Sequence, residues 1–331
     1  MKKIIILILI SLALGNVNAQ SVKLLTSGTK TSMRGLSVVN DKIVWASGSN
    51  GTVAVSVDGG ENWKWITVKG YEKMDFRDIE AFDKKNAVIM GIDSPAYILR
   101  TTDGGENWTK VYQNNDKGIF LDAMEFWNEQ SGIVIGDPIG GRFFIARTFD
   151  GGVSWQDLPF GKRPVADSGE VCFASSGTNI RKLNRSEAIF ISGGIVSNVF
   201  IRDKKIKLPL LQGKESTGAN SIAVKDSKTF MVAGGDFTTK DSSNLNCVYT
   251  TDGGTSWQTP LKNPSGYRSC VEYCGKQKWI TCGLNGVDIS TDDGKTFTSI
   301  STTGFHVVRK AKKGKAVFFA GGGGRIGKLN P

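Results

Sequence analysis

An eight-residue phrase occurs five times in this chain, and its spacing constrains the fold more than any other feature of the sequence. Four copies read Ser/Thr-x-Asp-Gly-Gly-x-x-Trp, and the fifth is a worn version that ends in phenylalanine. The aspartates and aromatic residues of the five copies are Asp58 and Trp63, Asp103 and Trp108, Asp150 and Trp155, Asp252 and Trp257, and Asp292 and Phe297. Successive aspartates are 45, 47, 102 and 40 residues apart, so the third interval contains two periods. A period in the forties is typical of one four-stranded blade of a β-propeller.

A second landmark gives the number of blades. Short apolar runs end in a glycine at seven places, which are Gly48, Gly91, Gly136, Gly193, Gly234, Gly283 and Gly321. The repeat that lacks the phrase has a remnant at 198–203, where the turn after Ile201 has lost its glycines. Alternating β-branched and aromatic runs between these landmarks indicate strands. The sequence therefore predicts an all-β fold, a seven-bladed β-propeller of four-stranded blades.

Within a blade, the phrase is expected to form the turn between the third and fourth strands. In the first blade the preceding strands are predicted at 34–39, 43–47 and 53–56. The aspartate of the phrase can accept hydrogen bonds from amides of its own turn, its glycines permit positive φ, and its aromatic residue can pack between blades. We therefore expect the five aspartates and five aromatic residues to have structural roles.

The seventh repeat supplies only three strands, and the start of the mature chain is predicted to complete it. Residues 21–26 have the length and pattern of an outer strand. We expect this strand to pair beside the strand at 324–329 and close the ring, because an open seam leaves strand edges unpaired.

Residues 1–19 are predicted to be a signal peptide rather than part of the fold. Lys2 and Lys3 precede an apolar core at 4–14, and residues 17–19 resemble a cleavage site. The core is too short to span a bilayer comfortably, which disfavours the alternative of a membrane anchor. We expect an exported, periplasmic or extracellular protein without a transmembrane span, with residues 20–331 forming one propeller domain.

The composition limits the possible ligands. The formal net charge is +11, but the basic residues are scattered apart from runs at 309–313 and 204–205, which look like solvated hairpin turns. We therefore expect no nucleic-acid partner. His306 is the single histidine, so His-based catalytic triads and His-rich metal sites are excluded. The glycine run at 321–324 lacks the features of a phosphate-binding loop, and we expect neither a metal nor a cofactor.

The five cysteines are too few, and odd in number, for a disulfide-based fold. If residues 275–277 form the first turn of blade six, Tyr273 faces Trp279 and Cys270 faces Cys282 across neighbouring strands. The two cysteines would then either form a disulfide or remain as buried free thiols, and both possibilities stay open.

The phrase resembles the Asp-box, or BNR, repeat of sialidases, sortilin-type receptors and many exported bacterial propellers. Its doubled glycine and its distribution over residues 22–330 are most similar to the photosystem II stability and assembly factor family, whose members are seven-bladed propellers. Phrases at 173–179, 266–269, 286–290 and 324–329 resemble a bacterial branch often labelled oxidoreductase or glycosyl hydrolase. The resemblance implies the fold, and fold alone does not imply function.

Candidate ligand-binding residues lie on the face opposite the repeated turns. Aligning the repeats places Arg34, Arg77 and Arg268 at one equivalent position just inside the first strand of a blade, and His306 lies near this position in blade seven. Three arginines converging on one channel mouth can bind a carboxylate or a sulfate. We predict that these four residues bind a ligand.

The same face carries the candidate catalytic carboxylates, Asp78, Asp122, Asp137 and Asp236. Two of them about 5–10 Å apart at the channel mouth would suit glycoside hydrolysis. The alternative is that Asp78, Asp122 and Glu80 form internal salt bridges with the arginines.

Two functions follow from these residues. The first is an exported, non-catalytic scaffold that binds a protein or peptide through the arginines and the loops at 158–170 and 236–246, and assists the assembly or stability of an envelope complex. The alternative is a sialidase-like glycoside hydrolase or lyase acting on acidic glycans. In either case we expect a monomer.

Overall fold

The computed structural model describes residues 20–330, so the predicted signal peptide lies outside the described residues. In this part of the chain, twenty-nine β-strands form seven antiparallel sheets, and two single 3-10 turns lie between strands. The first strands of neighbouring sheets contact one another in a closed cycle around a central channel. None of the helical turns between residues 20 and 330 has the length and apolarity needed to cross a membrane. The predicted all-β, seven-bladed propeller is confirmed.

The strand bounds follow the repeat. The first strand of the chain and the strands of blades one and two are β1 (Ser21–Thr26), β2 (Met33–Val38), β3 (Val44–Gly48), β4 (Thr52–Ser56), β5 (Lys64–Thr67), β6 (Phe76–Ala81), β7 (Ala87–Gly91), β8 (Ala96–Thr101) and β9 (Thr109–Asn114). Blades three and four, with two short strands between them, contain β10 (Leu121–Phe126), β11 (Gly132–Ile139), β12 (Arg142–Thr148), β13 (Gln156–Asp157), β14 (Glu170–Val171), β15 (Ile180–Lys182), β16 (Ala188–Ile191), β17 (Gly193–Gly194), β18 (Asn198–Ile201) and β19 (Lys204–Lys207).

The remaining blades complete the ring. Blades five, six and seven contain β20 (Thr217–Val224), β21 (Phe230–Asp236), β22 (Cys247–Thr250), β23 (Cys270–Gly275), β24 (Lys278–Gly283), β25 (Gly286–Ser290), β26 (Thr298–Ser301), β27 (Val307–Lys310), β28 (Val317–Ala320) and β29 (Ile326–Asn330). The predicted closure is confirmed, because β1 pairs antiparallel with β29, from Ser21 opposite Asn330 to Thr26 opposite Ile326.

Blade five departs from the four-strand pattern. Its outer strand is reduced to an isolated bridge between Tyr249 and Gln258, while β14 and β17 add two short strands at its inner edge. Pro260 and Pro264 follow Gln258 closely. Because proline has no N–H to donate to a ladder, the segment cannot continue as a regular strand.

The landmark glycines allow a close approach between the first two strands of a blade. A Cβ at Gly48, Gly136, Gly234 or Gly283 would lie 1.9–2.4 Å from a backbone carbonyl oxygen of the chain beside it. None of these four glycines has a positive φ, so lack of space, rather than backbone conformation, excludes a side chain. Four of the seven landmark glycines thus repeat the same contact, whereas the nearest atom to a Cβ belongs to a side chain at Gly91 and Gly193 and is the Cα of Phe305 at Gly321.

The repeated phrase forms a turn closed by its own side chains, which we call the Asp-box turn. In blade one, Ser56 Oγ donates to Asp58 Oδ1 (2.8 Å) and accepts the Gly60 N–H (2.9 Å). Asp58 also accepts the backbone N–H (3.0 Å) and side-chain amide (2.8 Å) of Asn62. Corresponding bonds hold Asp103, Asp150, Asp252 and Asp292. The backbone N–H of Asn62 and then its side chain lower the pKa of Asp58 to about 2.

The Asp-box turn also packs against the preceding blade. A Cβ at Gly105 would lie 2.8 Å from Ile66 of blade one. The ring of Trp108 meets Trp45 of blade one edge-on, with centroids 6.4 Å apart. The worn fourth repeat has no such turn, since Arg202 and Asp203 alone connect β18 to β19 and Arg202 adopts a φ of 57°. The remnant at 198–203 thus lies where the sequence placed it, at the connection between the third and fourth strands of blade four.

Candidate functional site

The face opposite the Asp-box turns, which we call the upper face, opens into a cavity of about 460 Å³. Arg34, Arg77 and His306 line it, as the alignment of repeats predicted. Its apolar wall comes from several blades and includes Phe120, Val171, Phe173, Phe237 and Leu284. We call this space the upper cavity.

Arg34 is the least neutralised charge in the upper cavity. Its Nη1 donates to the carbonyl of Ser175 at 3.3 Å, its buried Nε has no hydrogen-bond partner, and no carboxylate among residues 20–330 lies within 4 Å of it. Burial, and then the charge of Arg77, lower the pKa of Arg34. An anion beside these two guanidinium groups would favour their charged forms and oppose both effects.

Arg77 is partly neutralised. Its Nε donates to Asp75 at 2.9 Å, and its Nη1 lies 3.4 Å from the carbonyl of Ala174. About a quarter of its side chain is exposed, so it remains accessible from the cavity. The pairing with Asp75 differs from the salt bridges with Asp78, Asp122 or Glu80 that the sequence suggested.

Arg268 does not reach the upper cavity. Its side chain is 1 % exposed and forms an ion pair with Asp288, and its Nη1 donates to Asn285 at 2.6 Å. An equivalent position in the repeat therefore does not give an equivalent direction of the side chain. The predicted convergence of three arginines is therefore wrong, because Arg34 and Arg77 reach the upper cavity and Arg268 does not.

His306 is a neutral hydrogen-bonding group at physiological pH. Burial, and then the positive charges of Arg34, Arg325 and Arg77, lower its pKa to about 3. Its Nε2 lies 3.2 Å from Ser32 Oγ, and its buried Nδ1 has no partner among the described residues. It can offer a hydrogen bond to a ligand but not a positive charge.

The four candidate catalytic aspartates do not meet in this cavity. Asp78 is buried, and its oxygens accept the backbone N–H groups of Ile79 (2.8 Å) and Met124 (2.7 Å), which joins blades two and three. Asp122 is fully buried, and burial raises its pKa far above the usual range. Asp236 accepts bonds from Thr238 in its own loop.

Asp137 is the one of these four carboxylates on the cavity wall. It accepts the backbone N–H of Cys172 at 2.8 Å, and burial raises its pKa to about 6. Burial, and then the charge of Asp137, raise the pKa of Asp122, so these two carboxyls are neighbours, but Asp122 is fully buried and does not line the cavity.

Sequence reasoning missed the segment that closes the channel. Residues 173–178, which we call the channel segment, contact four blades other than their own. The carbonyls of Ser175 and Ala174 accept from Arg34 and Arg77 of blades one and two. Ser175 Oγ donates to Asn220 of blade five (3.1 Å), and Ser176 Oγ donates to the carbonyl of Ser269 in blade six (2.8 Å). Gly177 lies so close to Asp78 that a Cβ there would be 2.4 Å from the carboxylate. The segment forms the floor of the upper cavity.

The cysteine register predicted for blade six is confirmed. Cys270 is opposite Cys282, and Tyr273 is opposite Trp279 with ring centroids 4.7 Å apart. Both cysteines are fully buried free thiols in the structure.

Comparisons with known proteins agree with this architecture. The family model described as photosynthesis system II assembly factor YCF48 matches residues 15–118. No curated protein matches the chain. A structure of YCF48 bound to a D1 peptide is similar with 15% identity, a TM-score of 0.65 and 96% of each chain covered. YCF48 from Cyanidioschyzon merolae has 18% identity and a TM-score of 0.65, covering 94% of this chain and 99% of that one.

Other propellers are similar as well. The WD40 domain of Neurospora crassa Pan2 has 10% identity and a TM-score of 0.64, covering 95% of this chain and 96% of that one. At such identities the structural likeness establishes the fold alone. Together with the family match, it confirms the resemblance to the photosystem II assembly factor propellers.

Proposed function

We propose that this chain is an exported, non-catalytic propeller that binds a peptide segment of a protein partner in its upper cavity, and assists the assembly or stability of an envelope complex. The observation that carries the proposal is the upper cavity itself. It combines the unpaired guanidinium of Arg34, the accessible one of Arg77 and an apolar wall on a rigid ring.

The chemistry of this cavity suits a peptide with a carboxylate and an apolar side chain. Two guanidinium groups bind a carboxylate through charge-assisted hydrogen bonds. Phe237 and Leu284, on the cavity wall, are 42% and 41% exposed, so an apolar side chain placed against them would remove them from water. The channel segment supports this role because it gives the cavity a fixed floor.

Two further observations support a binding protein over a hydrolase. The candidate carboxylates are distributed between the protein interior and separate loops, and Asp137 alone faces the cavity. The similar structure of YCF48 was solved bound to a D1 peptide, which supports peptide binding by this type of propeller.

Affinity capture from the native envelope fraction tests the proposal. The wild-type protein and an Arg34→Gln/Arg77→Gln variant are used as bait, and captured proteins are identified by mass spectrometry. Arg147→Gln, which removes an exposed charge from β12, is the matched control for loss of charge. We expect one partner to be retained by the wild type and the control, and synthetic peptides from it to bind at least tenfold more weakly to the double variant. Equal capture by all three proteins would contradict a role for the upper cavity.

Catalysis is tested separately with sialosides and uronic-acid polymers. We expect no turnover above that of an Asp137→Asn variant. Turnover by the wild type that is abolished in Asp137→Asn and in Arg77→Gln would instead support the hydrolase or lyase.

Export is tested by sequencing the N-terminus of the protein recovered from the envelope or the medium. We expect it to begin at Gln20. Recovery of the unprocessed chain from the cytoplasm would contradict export while leaving the binding proposal intact.

A further inference from the structure

A second cavity, of about 430 Å³, opens on the face of the Asp-box turns, and we call it the lower cavity. Arg181 contributes to its wall, and its Nη1 lies 3.5 Å from the carbonyl of Gly177, at the end of the channel segment. The channel segment thus separates the two cavities, and the chain has two distinct sites rather than one pore. No role proposed above uses the lower cavity.

The lower cavity contains two guanidinium groups whose hydrogen bonds are incomplete. Arg181 has a side chain that is 8% exposed. Its Nη1 forms an ion pair with Glu125 at 3.4 Å, but its buried Nη2 has no hydrogen-bond partner among the described residues. Arg309 has a side chain that is 18% exposed, and its buried Nη1 also has no hydrogen-bond partner among the described residues. A buried charged donor without an acceptor is costly, so both atoms favour an acceptor placed in the cavity.

The geometry brings these two donors together. Arg181 Nη2 lies 3.9 Å and Arg309 Nη1 lies 3.8 Å from the same oxygen, Oε2 of Glu272. Both distances exceed a hydrogen bond, and they place the two nitrogens less than about 8 Å apart. An oxyanion with oxygens on opposite sides can accept from both.

The charge around the cavity also favours an anion. Its wall includes six basic side chains and four carboxylates, which leaves a surplus of two positive charges when all are ionised. Burial raises the pKa of Glu272 to about 7, so this carboxyl is partly protonated at neutral pH and repels an anion less.

The basic run at 309–313 is part of this site and not simply a solvated turn. Lys312 crosses the lower mouth, where its Nζ forms an ion pair with Glu80 and donates to Ser37 Oγ (3.0 Å) and to the carbonyl of Ala81 (2.9 Å). The backbone N–H of Lys310 donates to Glu272 at 3.1 Å. These bonds fix the run against the cavity, where Lys310 and Lys313, which form no ion pair among residues 20–330, increase the positive potential at the entrance.

We propose that the lower cavity binds a small, doubly charged oxyanion of the sulfate, phosphate or dicarboxylate class between the guanidinium groups of Arg181 and Arg309. The site is separate from the upper cavity. It therefore gives the propeller a second ligand, whose binding does not depend on the peptide proposed above.

Titration with sodium sulfate, followed through the indole N–H signal of Trp127 in nuclear magnetic resonance spectra, tests the proposal. Trp127 lies on the cavity wall and its Nε1 donates to the carbonyl of Glu187 at 3.0 Å. Its signal is assigned by its loss in Trp127→Phe, and ionic strength is held constant with chloride. We expect a saturable shift of this signal with sulfate and succinate.

Two variants of the site and two controls locate the anion. Arg309→Gln and Arg181→Lys, which keeps the charge but not the planar pair of donors, are each expected to weaken sulfate binding at least tenfold. Arg185→Gln removes an exposed charge from a turn on the same face but not from the cavity wall, and is expected to bind sulfate like the wild type. Arg34→Gln reports on the upper cavity and is also expected to leave the Trp127 response unchanged.

The results separate this proposal from the function proposed for the upper cavity. A non-saturating response, or equal affinity in Arg309→Gln, Arg181→Lys and Arg185→Gln, would overturn the lower site whatever the upper cavity binds. If Arg181→Lys fails to fold, Arg309→Gln against Arg185→Gln still decides the outcome.

Discussion

Gly177 shows how one residue can position both cavities. It adopts a φ of +62°, and a Cβ at this position would lie 2.4 Å from the carboxylate of Asp78. That carboxylate already accepts two backbone N–H groups and cannot move without breaking them. We expect Gly177→Ala to lower the free energy of unfolding by about 1–3 kcal/mol, because alanine at this position has a strained positive φ and its Cβ conflicts with Asp78.

Urea denaturation measures this effect, and Gly161→Ala is the matched control. Gly161 has no positive φ and no atom within 4 Å of the position of a Cβ. An equal effect of the two substitutions would show that the channel segment is not held as tightly as its contacts indicate.

Asp137, on the wall of the upper cavity, is expected to make the stability of the protein depend on pH. Burial raises its pKa to about 6, so folding favours the protonated form over the ionised one. Stability from this group is therefore present below the unfolded pKa of about 4 and is lost as the pH rises through about 6. We expect Asp137→Asn to raise the free energy of unfolding by about 1–3 kcal/mol at pH 8, because the pKa shift corresponds to about 3 kcal/mol before solvent screening.

The gain from Asp137→Asn is expected to shrink as the pH falls from 8 to 4, where the wild-type carboxyl is neutral too. Urea denaturation at several pH values measures it. The exposed Asp203→Asn in the turn of blade four is the control. A gain that does not depend on pH would show that ionisation of Asp137 is not its cause.

At the scale of the structural element, the Asp-box turn depends on a buried hydroxyl. Thr101 is 1% exposed, and its Oγ1 donates to Asp103 at 2.8 Å and accepts the buried N–H of Gly105 at 3.1 Å. Valine has nearly the same shape but leaves that N–H without an acceptor. We expect Thr101→Val to cost about 1–3 kcal/mol in chemical denaturation, whereas Thr109→Val on the exposed strand β9 changes stability little. If Thr101→Val left the free energy of unfolding unchanged, the glycines of the turn, rather than its hydroxyl, would be the source of its stability.

The elements themselves were predictable from the sequence because most blades repeat the same local contacts. The turn phrase and the landmark glycines recur wherever the backbone makes the same turn or the same close approach, so their period predicts blade number. The outer strand 21–26 was predictable for the same reason, since blade seven lacked one. The two-residue turn after Ile201 followed from the loss of its glycines.

The site was less predictable because its contacts do not repeat. Residues 173–178 have no periodicity, and their path across the channel depends on groups in four other blades. Arg268 occupies the position equivalent to Arg34, but Asp288 in the third strand of its own blade binds its guanidinium. An alignment of repeats predicts where the Cα of an arginine lies, but it does not predict where the guanidinium at the end of its side chain lies.

At the scale of the whole molecule, the ring has two unlike ends separated by a floor. The channel segment makes the upper and lower cavities independent sites, although both are built on the first strands of the blades. The five Asp-box turns lie around the lower face and pack blades one, two, three, five and six on the preceding blade. The irregular loops between blades lie on the upper face. The peptide site proposed for the upper cavity therefore lies at the end of the strands opposite the Asp-box turns.

Closure of this ring depends on β1, which supplies the outer strand of blade seven. Val22 and Leu25 pack against the core beside β29, and without β1 the edge of β29 would be unpaired. We expect a chain that begins at Ser27 to unfold with at least about 2 kcal/mol less free energy than one that begins at Gln20, from the lost apolar burial alone. Addition of a synthetic peptide of residues 20–26 is expected to restore the difference in a saturable manner, measured by thermal unfolding. Equal stability of the two chains would show that the ring stays closed without its final strand.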